Sequence, residues 1–148
     1  MYLDEEQIFE NDLKYCLQEY DSEYLLVGFS GYSNHPTKKA IYNYGSTLNK
    51  VKINKLFVLD EHGYDGRGCW LIGTNGNYEL KERVCRLINS ICEQKGIKKE
   101  NVIMIGSSKG GFSAIYFGLR ISAGYIIAGA PQIKLAQYLR EKKKYLNL

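Results

Sequence analysis

Histidine is scarce in this chain, which has only His35 and His62 among its 148 residues. The four cysteines show no C-x-x-C spacing and have no companion histidines, a pattern that fits neither a zinc site nor a disulfide framework. We therefore predict no metal site and no cofactor. We interpret the cysteines as reduced thiols of the core, at Cys16, Cys69, Cys85 and Cys92.

Long apolar runs are also missing. No stretch approaches the roughly 18 to 20 uninterrupted apolar residues of a membrane-spanning helix. Residues 1–6 are acidic where a secretory signal is basic. We therefore expect no membrane span and a cytoplasmic location.

A strong excess of one charge is absent as well. The chain has 20 lysines and arginines against 16 aspartates and glutamates, a net charge of +4. Much of the surplus lies in separate clusters at 95–99 and 142–144, whereas nucleic-acid binding requires a continuous basic face. We therefore expect no nucleic-acid partner.

Helical and strand-like apolar patterns alternate along the chain. Helical spacing predicts helices over 5–20, 80–91 and 112–119. Short apolar runs predict strands at 24–29, 40–44, 55–60, 102–105 and 124–128. Gly96 is placed to end the second helix, and Pro131 to begin a last one. The alternation predicts an α/β fold with a mainly parallel sheet, in a single domain over residues 1–148.

A G-x-S-x-G pattern lies between the apolar run at 101–105 and the helix that follows it. In this strand-turn-helix context the pattern is typical of a nucleophile elbow, whose glycines permit a sharp turn that exposes the serine hydroxyl. We predict Ser108 as the catalytic nucleophile, and a helix-capping serine is the alternative. The side chain of Lys109 either presents a cation to an anionic substrate or faces solvent, and we count only its backbone as catalytic.

An acyl-transfer serine needs an oxyanion hole and a general base. We predict the backbone N–H of Lys109 as one oxyanion donor, and the turn after strand 24–29, at Ser30 or Gly31, as the other. Losing one such donor typically costs about 3 to 4 kcal/mol of barrier stabilisation.

The base is harder to assign because both histidines precede the serine, against the usual hydrolase order of serine, acid, histidine. His62 follows a strand that ends at the edge of the elbow, so it is the first candidate for the base, with His35 as a weaker one. A surface or loop-structural role is the alternative for both histidines, and the one we favour. Three nearby carboxylates either orient His62 or are solvated or loop-capping groups, the interpretation we favour: Asp60, Glu61 and Asp65. Since the acid and histidine usually follow later strands, we expect a domain incomplete at its C-terminus.

Residues 61–78 form a glycine-rich segment interleaved with aromatic residues. Long loops of this kind often line binding sites. We predict substrate contacts at Tyr32, Tyr64 and Trp70.

The Gly-Ser-Ser-Lys-Gly-Gly segment at 106–111 and the Ile-Ala-Gly-Ala-Pro-Gln-Ile segment at 127–133 carry a family resemblance. With Tyr138-Leu139, 54–60 and 70–73, they resemble a bacterial α/β-hydrolase-like family of capsular-polysaccharide biosynthesis proteins, related to accessory-secretion glycan O-acetyltransferases. The resemblance implies a three-layer hydrolase-like sheet that here lacks its C-terminal strands. It also implies serine-dependent acyl transfer or ester hydrolysis on a cell-surface glycan or its precursor, with Ser108 as nucleophile. The family's acid and histidine have no matching positions here.

Two other functions remain open. The glycine-rich turn and helix start are also suited to bind a phosphate or a nucleotide-sugar, although neither phosphate-binding glycine motif is matched. The 13 tyrosines and the basic segment 140–144 also suit a noncatalytic component of a glycan or secretion assembly. An incomplete sheet has an exposed edge, where we expect a homo-oligomer or a partner chain.

Overall fold

The computed structural model describes residues 4–32, 39–63 and 66–146, with side chains as far as 141. Its strands are β1 (Glu6–Phe9), β2 (Leu13–Gln18), β3 (Leu25–Phe29), β4 (Asn54–Val58), β5 (Val102–Ser107) and β6 (Tyr125–Gly129). Its α-helices are α1 (Glu79–Lys95), α2 (Lys109–Ile121) and α3 (Leu135–Leu146), and a 3-10 turn spans Lys99–Asn101.

The six strands form one sheet in the order β1-β2-β4-β3-β5-β6. Strand β3 lies at its centre, parallel to both β4 and β5, and β6 is parallel to β5. The β1–β2 hairpin joins the sheet antiparallel to β4. The predicted α/β fold with a mainly parallel sheet is therefore confirmed.

The core lies between the sheet and the helices α1 and α2, which pack on the same face. The strand side chains on this face include Val27, Leu56 and Met104, all fully buried. The predicted stripe of α1 is confirmed, since its residues at helical spacing are buried. Gly96 ends this helix in the left-handed conformation, with φ of 63°.

The predicted helix over 5–20 is wrong, because these residues form the β1–β2 hairpin. Glu10 and Asn11 have φ of 36° and 54°, which reverses the chain and which no continuous α-helix allows. In β2 the alternating Leu13, Tyr15 and Leu17 point into or against the core, so the apolar spacing also fits a strand.

The predicted strand at 40–44 is also wrong. This segment and the turns that follow it cross the face of the sheet opposite the helices. Its Tyr42 hydroxyl donates to Glu6 of β1, and the buried Lys55 ammonium of β4 donates to the carbonyls of Leu48 and Val51. The turns that follow the segment thus satisfy the buried charge of Lys55.

Strand β6 forms as predicted, but it is not buried. It lies at the edge of the sheet, and Tyr125 and Ile127 are 55% and 53% exposed. The prediction that Pro131 begins the last helix is wrong as well, because α3 begins at Leu135. The intervening backbone is bound elsewhere: the Gln132 amide donates to the Ser108 carbonyl at 3.2 Å.

None of the four cysteines forms a disulfide. Within the described ranges, no helix has the length and apolar character needed to cross a membrane.

Candidate active site

Three parallel strands bring the predicted site residues to one edge of the sheet, the edge formed by the carboxyl ends of these strands. Because β3, β4 and β5 run in the same direction, the residues after Phe29, Val58 and Ser107 lie at the same edge. Ser30 and Ser108 therefore lie near the segment that follows β4. This arrangement is the one that a nucleophile elbow requires.

The turn at Ser108 has the strained backbone of a nucleophile elbow. Ser108 has φ of 53° and ψ of −116°, a conformation that costs a non-glycine residue about 1 to 3 kcal/mol. Two glycines allow the turn: a Cβ at Gly106 would collide with the Gly110 carbonyl, and one at Gly110 would lie 2.6 Å from the Phe29 carbonyl oxygen. The strand and the helix can therefore approach closely only with these glycines.

Backbone hydrogen bonds hold this turn, and the Ser108 hydroxyl takes no part in them. The Ser108 amide donates to the Gly129 carbonyl at 2.9 Å, and the Ser108 carbonyl accepts from the amides of Phe112 and Gln132. Although Ser108 is the N-cap of α2, its side chain makes no capping hydrogen bond. The alternative of a helix-capping serine is therefore wrong for this structure, and the half-buried hydroxyl is not used in holding the helix end.

Lys109 is buried, which overturns both alternatives for its side chain. Its ammonium lies 2.7 Å from a carboxylate oxygen of Asp60, and the two side chains are 0% and 2% exposed. The cation is thus neutralised inside the protein, so it neither faces solvent nor reaches an anionic substrate.

Asp60 is the central acceptor beneath the site. Besides Lys109, it accepts the backbone amides of Cys69 and Leu71 at 3.0 and 3.2 Å. Burial raises the pKa of this carboxyl, but the Lys109 ammonium and the hydrogen bonds outweigh burial and lower the pKa to about 2. Asp60 is therefore a loop-capping carboxylate, as the favoured interpretation holds, but it is not solvated.

The turn after β3 lies against the start of α2, where the oxyanion donors are predicted. The Ser30 hydroxyl is buried and accepts the amide of Asp60 at 3.1 Å, which joins the ends of β3 and β4. The Gly31 amide donates to the Asn43 side-chain carbonyl at 2.6 Å. Lys109 is the first residue of α2, so its amide has no partner within the helix. The oxyanion role of the Lys109, Ser30 and Gly31 amides stays a prediction, and the Gly31 amide would have to leave Asn43 to fill it.

His62 lies at this edge of the sheet, between two carboxylates. Its Nε2 is 3.5 Å from Asp12 and its Nδ1 is 3.8 Å from Asp60. Burial lowers the pKa of the imidazole, but Asp60 and Asp12 together outweigh burial and raise it above 6.5. The role of His62 as general base stays a prediction, and His35 lies outside the described residues. Glu61 instead pairs with Lys14 at 2.8 Å.

The predicted substrate aromatics form a packed cluster. The Trp70 ring stacks near Tyr32 and meets the edge of Tyr138, each at 6.1 Å between centroids. Only 4% of Trp70 is exposed, and its Nε1 donates to the Gln132 side chain at 2.9 Å. Tyr64, like Asp65, lies outside the described residues. The cluster borders a surface cleft of about 370 Å³, which is lined in part by Gln132, Lys134 and Tyr138.

Sequence reasoning missed several residues that hold the site. The Tyr44 hydroxyl donates to the Ser107 hydroxyl at 2.9 Å, while Asn43 binds Gly31 and Gln132 binds Trp70. No local pattern marks these contacts, because each joins residues far apart in the chain. The Lys109–Asp60 pair had one signal, since an acidic residue directly after a buried strand is placed at the functional edge of a parallel sheet.

Comparison with solved structures finds proteins of the same fold. The chain is similar to the capsule O-acetyltransferase of Neisseria meningitidis serogroup A, with a TM-score of 0.76 and 26% identity, over 93% of this chain and 55% of that one. A mutant of that enzyme in complex with CoA matches equally well. The chain thus spans about half the length of these neighbours.

A second likeness shows the fold alone. The Glycosylation Associate Protein (Gap123) complex from Streptococcus agalactiae matches with a TM-score of 0.71 and 19% identity, over 94% of this chain and 26% of that one. The resemblance predicted from the sequence is therefore confirmed, at modest identity. No family model and no curated protein sequence matches the chain.

Proposed function

We propose that this chain takes part in O-acyl transfer to a hydroxyl of a capsular or other cell-surface polysaccharide, or of its precursor, with Ser108 as the nucleophile. The observation that carries the proposal is the elbow itself, where a strained serine has a hydroxyl that does not cap its helix. The likeness to a capsule O-acetyltransferase supports the reaction class and the kind of acceptor.

The proposed reaction has two acyl-transfer steps. In the first, the base takes the Ser108 proton while Oγ attacks the carbonyl carbon of the donor, and the leaving group departs with that proton. In the second, the base takes the proton of a sugar hydroxyl whose oxygen attacks the acyl carbon, the bond to Oγ breaks, and the base passes that proton to Ser108 Oγ. The Lys109 amide would stabilise the oxyanion in both steps. An acyl thioester of CoA is the donor to test first, since a structural neighbour is known in complex with CoA.

His62 is the base that this chain offers. In serine hydrolases a carboxylate hydrogen-bonded to the imidazole fixes it and stabilises its charged form. Here Asp60 lies 3.8 Å from Nδ1, too far for that hydrogen bond but near enough to stabilise the charged imidazole. The raised pKa makes His62 a stronger proton acceptor, although a larger fraction is then protonated near neutral pH.

Labelling with a fluorophosphonate probe tests the nucleophile. Intact mass should show one added group on the wild-type protein and none on Ser108→Ala. Ser46→Ala is the matched control, because it removes an exposed serine hydroxyl in a turn away from the elbow and should leave labelling intact. Peptide mapping should place the label on Ser108, and His62→Gln should slow labelling by about 10² to 10⁴-fold if His62 is the base. A folded wild-type protein that takes no label contradicts the proposal.

Binding of a phosphate or nucleotide-sugar has less support from the site. An anion site at a helix start needs unpaired backbone amides and benefits from a nearby cation. Here the Ser108 amide is bound to Gly129 and the Lys109 ammonium is turned inward to Asp60. Two of the groups that would hold the anion are therefore engaged.

A further inference from the structure

A buried ion pair lies directly beneath the nucleophile turn. Lys109 immediately follows Ser108, and its ammonium is 2.7 Å from Asp60 Oδ2 and 3.5 Å from both the Ser30 hydroxyl and the Asp60 carbonyl. Gly68 leaves the space, since a Cβ there would collide with the ammonium. The lysine is thus enclosed by groups from the ends of β3 and β4.

The same carboxylate holds a second strained turn. Asp60 accepts the amides of Cys69 and Leu71, which flank Trp70. Trp70 and Leu71 both have left-handed backbones, with φ of 61° and 57°, which non-glycine residues rarely adopt. A strained turn persists only where surrounding contacts fix it.

Gln132 closes the connection from the other side. Its side-chain oxygen accepts a hydrogen bond from Trp70 Nε1 at 2.9 Å, and its backbone amide donates to the Ser108 carbonyl at 3.2 Å. The two strained turns are therefore joined twice, once through the buried charges and once through Gln132.

A buried ion pair is not needed for stability alone, because well-packed apolar residues often serve equally well. We propose that the Lys109–Asp60 pair is a positioning device that holds the Ser108 turn and the Trp70–Leu71 turn in one fixed relation. Its catalytic meaning rests on the proposed function, whereas the coupling of the two turns does not.

Hydrogen exchange measured by mass spectrometry tests the coupling without requiring activity. In Lys109→Met we expect exchange in peptides covering 68–72 and 106–112 to speed up at least about tenfold beyond any global change. Lys55→Met is the matched control, because Lys55 is also fully buried but donates to two carbonyls on the opposite face of the sheet. It sets the baseline for losing a buried lysine.

A double variant separates positioning from simple damage. Asp60→Asn with Lys109→Met removes both charges and keeps a side-chain oxygen for the Cys69 and Leu71 amides, so it should restore exchange in both peptides to within about threefold of wild type. The emission of Trp70, the only tryptophan, should shift in Lys109→Met and return in the double variant. Changes in Lys109→Met that equal those of Lys55→Met, or that affect one turn alone, overturn the proposal.

Fluorophosphonate labelling then connects the device to Ser108. We expect Lys109→Met, under conditions where it is folded, to be labelled about a hundredfold more slowly, and Lys55→Met at nearly the wild-type rate. If the wild type takes no label, the proposed function fails, and hydrogen exchange still decides the coupling. Equal labelling rates in Lys109→Met and wild type overturn the positioning role at Ser108.

Discussion

At the scale of single residues, the site is built from charges that the protein has removed from water. Asp60 and Lys109 are both buried and neutralise each other's charge, while backbone amides donate further hydrogen bonds to the carboxylate. The sequence signals only the Asp60 half of this pair, by its place directly after a buried strand, because a lysine after a serine in a glycine-rich turn most often faces solvent. Ser108 itself was predictable, since its flanking glycines and the apolar strand before it are local signals.

The charge state of His62 gives a pH dependence of stability. Because Asp60 and Asp12 raise its pKa above the ordinary 6.5, protonated His62 stabilises the folded state. This contribution is fully present below about pH 6.5 and is lost as pH rises through the higher pKa of the folded protein. Urea unfolding of wild type and His62→Gln should therefore show a difference in unfolding free energy that shrinks as the pH rises above about 6.5.

A direct titration checks the cause. The His62 imidazole, followed by NMR, should titrate above 6.5 in the wild type and at a lower pH in Asp12→Asn, which removes one of its two carboxylate neighbours. A measured pKa below 6.5 in the wild type would mean that burial outweighs the carboxylates, and the stability difference would then change in the opposite direction.

At the scale of elements, the parallel strands were easier to predict than the hairpin. Strands β3 and β4 are buried at every residue, and apolar runs such as those at 25–29 and 56–58 are typical of parallel sheets. In the β1–β2 region the apolar residues satisfy helical and strand spacing together. The outcome there depends on the pairing of Cys16 with Phe57 in β4, a contact between distant segments that no local pattern contains.

Because β5 and α2 approach closely at Gly106, we expect a larger side chain at this position to destabilise the protein. Gly106→Ala would place a methyl group against the Gly110 carbonyl, and backbone at this contact cannot yield as a flexible side chain does. We expect a loss of about 3 kcal/mol in unfolding free energy, together with loss of Ser108 labelling. Urea denaturation monitored by circular dichroism would measure the first and intact mass the second.

Gly129→Ala is the control for that variant. Apart from the adjacent residues in the chain, the nearest atom to its Cβ would be Ser107 Cβ at 3.4 Å, an ordinary contact. It should therefore stay within about 1 kcal/mol of wild type. If Gly106→Ala proves equally mild, the elbow is looser than the structure indicates.

At the scale of the whole molecule, the β6 edge of the sheet is apolar, and no further strand pairs with it in the part of the chain that the structure describes. Strand β6 reads Tyr-Ile-Ile-Ala-Gly, without the charges or prolines by which natural edge strands avoid pairing with other chains. Tyr125 and Ile127 on one face and Ile126 on the other are all substantially exposed. The apolar residues at 124–128 therefore predicted a strand correctly, but the strand lies at the edge of the sheet and is not buried.

This edge is expected to drive self-association. Two copies can pair their β6 strands antiparallel, which would satisfy the open backbone groups and cover Ile127 on both. Sedimentation velocity across a concentration series should therefore show a dimer that Ile127→Lys weakens by about tenfold or more, since a charge at the pairing strand opposes burial. Ile41→Lys is the matched control, because Ile41 is 64% exposed in a loop. Equal behaviour of the two variants would place the association elsewhere on the surface. A wild-type monomer at every concentration would exclude self-association through β6.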